Sequence, residues 1–119
     1  MAEVFELKQG KQFSLAGARA MLPLIKRITD EAVLQMELLK DHIEDIDPDP
    51  AHHPYYEREL SAIVEKWAQK IMKLGCMPKG MWLVDFDNGE GFYCWHYPEE
   101  DVEFFHSYAE SFANRTPIL

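Results

Sequence analysis

Past Lys79 the chain has almost no cations. Between Gly80 and Asn114 eight carboxylates meet no lysine or arginine, and Arg115 alone follows. Between residues 30 and 59 ten carboxylates meet only Lys40 and Arg58, and the whole chain carries a formal charge of −9. Neutralising nucleic-acid phosphates takes clustered lysine and arginine, so a nucleic-acid partner is excluded. An acidic surface of this kind keeps a protein soluble, and leaves open a basic protein partner or a small ligand. Cysteine is equally scarce. Cys76 and Cys94 are too few for a disulfide framework, which points to a reducing compartment. No run nears the roughly 18 apolar residues of a membrane span. Glu3 and Glu6 stand where a signal sequence would be basic and then apolar, so a cytoplasmic protein is expected. There is no Cys-x-x-Cys, no glycine-rich phosphate loop and no serine elbow.

What is present is enough apolar material for one folded domain: 119 residues, 47% hydrophobic and 13% aromatic. Leu22, Ile25, Thr29, Ala32, Met36, Leu39, Ile43 and Ile46 follow one another at spacings of three and four, an a/d stripe. After a Pro-rich turn over 47–54, Tyr56, Leu60, Ile63, Trp67, Ile71 and Leu74 lay down a second stripe. Residues 15–74 thus read as a long antiparallel helical hairpin, coiled-coil-like. Ser14 serves as its N-cap, and Gly75 as the residue that stops it. Pro23 disfavours helical geometry at Leu22, which predicts a kink or break there. Residues 1–14 form an N-terminal arm, with Glu3 to Lys8 alternating loosely like an edge strand. Leu24, Ile28, Leu34 and Leu38 make a second apolar strip off the stripe, and a homodimer through the helical hairpin is expected to cover it.

Beyond Pro78 the period changes from 3.6 to 2. Met81–Phe86 and Phe92–Tyr97 flank Asp87-Asn-Gly-Glu-Gly91, which predicts a β-hairpin over 79–97. A two-residue Asn88-Gly89 turn would put Trp82 and Val84 on the face of Tyr93 and Trp95; a five-residue loop would put them with Cys94 and His96. Pro98-Glu-Glu-Asp101 looks like the acidic first turn of a helix, with Val102, Phe105, Ala109 and Phe112 inward, so 98–119 is expected to hold a short C-terminal helix and tail. The fold class is α+β in a single domain, 1–119.

Phe13-Ser-Leu before Leu22-Pro23, Leu74-Gly75-Cys76, Leu83-Val-Asp-Phe86, Cys94-Trp95, Glu99, Phe105-His106 and Phe112-Ala-Asn-Arg115 with Pro117 together resemble the bacterial family known as domain of unknown function 2203. The chain departs from the family pattern at His96, Pro98 and Phe105, where a basic residue, glycine and tryptophan are usual. The resemblance covers nearly the whole chain. It implies no reaction, but it points to Asp85, Cys94, Glu99, His106 and Arg115 as the candidate functional cluster.

Those residue types suit a thiolate with an imidazole base, or a Cys/His/carboxylate metal set. Each also has a plainer role: Cys94 as a small buried hydrophobe, His106 as a structural hydrogen-bonding group, Arg115 as the partner of Glu99 or Asp85. The expected protein is a non-enzymatic homo-oligomeric interaction or ligand-binding module with no cofactor and no metal; the alternative is a small enzyme or metal-binding protein using Cys94, Glu99, His106 and Arg115. His52 and His53 in the acidic turn are read as incidental.

Overall fold

The computed structural model describes residues 11–119; the alternating stretch Glu3 to Lys8 lies outside them. Ser14 caps α1 (Leu15–Asp45), its hydroxyl oxygen accepting from the Gly17 N–H at 3.0 Å. The helix then runs 31 residues without a break. The helix does not break at Pro23: proline costs one backbone bond and some crowding, and the burial of Leu22 and Ile25 on either side outweighs that loss.

A 3-10 turn (Pro50–His52) leads into α2 (His53–Lys73), so the segment 47–54 is more helical than its prolines suggested. Pro50 and Pro54 both sit at first-turn positions, where the missing N–H has no partner to lose. Asp47 fastens this corner, accepting from Tyr56 Oη at 2.8 Å and facing His52 Nδ1 at 2.7 Å. The Tyr56 hydroxyl, with His52 beside it, holds the Asp47 carboxyl below the usual carboxylate range. Along α1, Trp67 Nε1 donates to Thr29 Oγ1 at 2.9 Å, a buried polar pair inside an apolar stripe.

Five strands follow in order, each antiparallel to its neighbour: β1 (Met77–Pro78), β2 (Leu83–Asp87), β3 (Gly91–His96), β4 (Phe104–Ser107) and β5 (Thr116–Pro117). Val84 pairs with Trp95 and Phe86 with Tyr93. Partners across a ladder share a face, so these four look one way. They meet Phe13, Ala18, Leu22, Ile25, Trp67 and Ile71 in the core. The face assignment is that of an Asn88-Gly89 turn, with the register slid to a four-residue connection between Asp87 and Phe92. Asn88 Oδ1 closes it, accepting from the Glu90 and Gly91 N–H groups at 2.9 and 2.8 Å.

The expected architecture is overturned. In place of a long coiled-coil-like hairpin carrying a β-hairpin and a C-terminal helix, there is one long helix, a shorter one of 21 residues, and a five-stranded sheet. No C-terminal helix forms. Phe104 to Ser107 are a strand, Phe112–Asn114 only a 3-10 turn, and Phe105 is exposed where a helix would have buried it. The free edge of β3 accounts for this, because its backbone groups need a ladder and the Phe-Phe-His-Ser run supplies one. The acidic run is the loop before β4. It packs against α1 through Arg19, which donates from Nε and Nη2 to the Val102 carbonyl at 3.2 and 2.9 Å, and through Lys26 bonded to the Glu100 carbonyl. Among the described residues no helix is long and apolar enough to cross a membrane.

Candidate functional site on the outer face of the sheet

The residues of β2 and β3 that alternate with the core set point away from the helices. Asp85 pairs with Cys94, Asp87 with Phe92, and Phe92 in turn with His106. The close approach of β4 to β3 depends on Gly91: a Cβ there would stand 2.5 Å from the His106 carbonyl oxygen. Only glycine lets the two backbones come together and bring His106 over β2.

The consequence is a buried trio. Donor atoms of Asp85, Cys94 and His106 lie within 4.8 Å of one another, and all three residues are buried. His106 Nε2 is 3.3 Å from Asp85 Oδ1 and 3.2 Å from Oδ2. Its other nitrogen, Nδ1, is 2.9 Å from the Ser107 carbonyl. A carbonyl only accepts, so Nδ1 carries a hydrogen, and a proton or cation is needed between Nε2 and the carboxylate. Burial, with the Asp85 carboxylate adding to it, pushes the Cys94 thiol up to about 12, against the opposing pull of the Arg115 guanidinium.

Glu99 and Arg115 form a second unit beside the trio. Arg115 grips Glu99 with both arms of its fork, Nη1 donating to Oε1 at 2.9 Å and Nη2 to Oε2. The guanidinium lies over the rings of Phe104 and Phe112, 4.0 and 4.2 Å from their centroids. Glu99 Oε1 also accepts from the His96 N–H at 2.8 Å, and the Glu99 carbonyl from Trp95 Nε1 at 2.8 Å. Bonding to Glu99 and to Cys94 raises the Arg115 pKa in spite of its burial. All five sequence-predicted residues therefore lie in one region, three converging directly and two joined to them through Arg115 and Cys94. His52 and His53 stand far along the chain at the α1–α2 corner, where His52 is engaged by Asp47.

Above the trio a cleft of about 450 Å³ has Asp85 and His106 at its base, with Leu83, Phe92, Tyr108 and Phe112 among its walls and Lys79 and Glu110 at its edge. Sequence reasoning missed these aromatic walls. The signal for Phe92 was its alternation with Cys94; that of Tyr108, beside His106, was hidden because β4 was read at a helical period. Tyr108 is fixed by its hydroxyl donating to Asp87 Oδ1 at 2.7 Å and by its ring edge on Phe92 at 5.1 Å. Cys94 does not line the cleft; it lies behind Asp85 and His106.

Fold and site together define a layered α+β domain with helices on one face of an antiparallel meander and a buried polar trio on the other. Residues 11–118 match the family described as "Uncharacterized conserved protein (DUF2203)", and the chain belongs to that family. No curated protein and no solved structure matches it.

Proposed function

We propose that the chain is a non-enzymatic ligand-binding module whose site is the cleft on the outer face of the sheet. The observation that supports this is the cleft itself: about 450 Å³, aromatic walls, and two buried polar side chains at its base. Concave, mostly apolar sites with a few convergent polar groups are what small molecules occupy. An acid–base role fits poorly. Both nitrogens of His106 are engaged, and Cys94 is buried and held as the thiol, so neither a free base nor a thiolate faces the cleft. The test is a fragment screen by two-dimensional NMR on the isotope-labelled chain. Binders should perturb His106, Phe92 and Phe112, and Ala113→Trp, which fills the cleft, should abolish their effect. Binders that ignore Ala113→Trp would overturn the reading.

Self-association is a second reading, favoured by Leu34 and Leu38, which are 55% and 60% exposed on α1. Ile28 packs against the core, so the strip that a second copy would cover is narrower than the sequence suggested. Sedimentation equilibrium should show a dimer at micromolar concentration that Leu34→Glu with Leu38→Glu converts to monomer. A wild-type monomer would end this reading.

A further inference from the structure

We infer that Asp85, Cys94 and His106 form a mononuclear site for a divalent late first-row transition ion, zinc above all. The inference goes beyond the cleft reading and does not need it, since the trio can load with the cleft empty. It also departs from the expectation that the chain takes no metal.

Three different donors, oxygen, sulfur and nitrogen, come from three adjacent strands to one buried point on the outer face. That mixture is what borderline-soft cations select, whereas magnesium and calcium take oxygen alone. The separation of Asp85 and His106 suits such an ion. Zinc bound to a carboxylate and an imidazole at tetrahedral angles sets their donor atoms about 3.3 Å apart, and Nε2 stands 3.2 and 3.3 Å from the two Asp85 oxygens. A hydrogen bond would have the same length, so the decision rests on the rest of the ring. Nδ1 donates to the Ser107 carbonyl, the outer contact that fixes a ligating histidine and turns the Nε2 lone pair inward.

Charge agrees with this arrangement. On binding, the sulfur–hydrogen bond of Cys94 gives way to a sulfur–metal bond, the cation replaces the proton between Nε2 and Asp85, and both protons leave to solvent. Thiolate and Asp85 carboxylate then cancel the dication. Arg115, held by Glu99, lies near the sulfur, and its positive charge favours the thiolate, as outer groups do at metal thiolates. Three protein ligands leave a fourth position, and Asp85 and His106 open on the cleft, which is both the path for the ion and the space for an exogenous fourth ligand.

The test uses the full chain purified without a His tag, stripped by chelator and titrated with cobalt(II). The expected result is one cobalt per chain, with a near-ultraviolet sulfur-to-cobalt band and the strong visible bands of four-coordination, all displaced by zinc. Cys94→Ser should remove the sulfur band and Cys76→Ser should leave it, while Asp85→Asn should weaken uptake at least tenfold. If Cys94→Ser fails to fold, X-ray absorption of the zinc-loaded wild type decides, with one sulfur and at least one imidazole expected in the first shell. Substoichiometric uptake, a shell of oxygen and nitrogen only, or a sulfur band that survives Cys94→Ser overturns the inference. Fragments that bind the cleft of a chain that takes no cobalt would end the metal site and leave the cleft reading standing.

Discussion

The two faces of the sheet are built on opposite terms. The inner face is Val84, Phe86, Tyr93 and Trp95 against the helices, where shape and apolar area do the stabilising. The outer face buries Asp85, His106 and the Glu99–Arg115 pair under a short tail, where every polar atom needs a named partner. Among the described residues no buried side-chain nitrogen or oxygen lacks one. The contrast shows where tolerance to change should lie. The inner face should absorb apolar swaps of similar volume and suffer from holes; the outer face should suffer most when one member of a pair is removed.

The largest effect belongs to the inner face. Trp95 is fully buried, and Trp95→Ala should cost about 4 kcal/mol in denaturant unfolding through the cavity it leaves. On the outer face, Arg115→Ala should cost about 3 kcal/mol, because it strands a mostly buried Glu99 carboxylate. Adding Glu99→Gln should return much of that loss, and a melting temperature indifferent to Arg115→Ala would erase the contrast between the faces. Gly91→Ala should cost about 2 kcal/mol by forcing β4 off β3. Backbone NMR shifts should place that disturbance at His106 and Ser107, not in the helices.

The smallest effect is a pH dependence. Burial raises the Cys76 thiol from 9.0 to about 12. A raised folded-state pKa contributes stability that is whole below the unfolded value and is lost as pH climbs toward the folded one. Stability should therefore decline between about pH 9 and 12, and Cys76→Ala, compared by unfolding at pH 8 and pH 10.5, should flatten that decline.

Much of the inner half was legible in the sequence. Leu22, Ile25, Thr29, Ala32 and Met36 are buried as their spacing predicts, and the switch to period 2 after Pro78 marks β2 and β3. The same stripe fails further on, where Ile46 is 70% exposed. Periodicity says which residues of an element share a face, not whether anything covers that face. The C-terminal third misled for a related reason. Proline followed by acidic residues is a fair helix start, yet the four residues Phe104 to Ser107 were too few for either period to declare itself, and the edge of β3 decided.

By itself the sequence determined composition-level and local properties: an acidic chain, two helices with their caps, a strand pair, and five residues worth watching. These follow from spacing, side-chain chemistry and turn residues within a dozen positions. The tertiary structure alone decided that Asp85, Cys94 and His106 meet. Their meeting depends on the β2–β3 register, for which the turn residues left two alternatives open, and on the contact of Gly91 with the His106 backbone, which no local signal encodes. A one-residue slip would have sent Asp85 and Cys94 into the core and Val84 and Trp95 outward, because strand faces alternate at every residue. The apolar area buried against α1 and α2 forbids that slip, so packing on the inner face places the polar trio on the outer one.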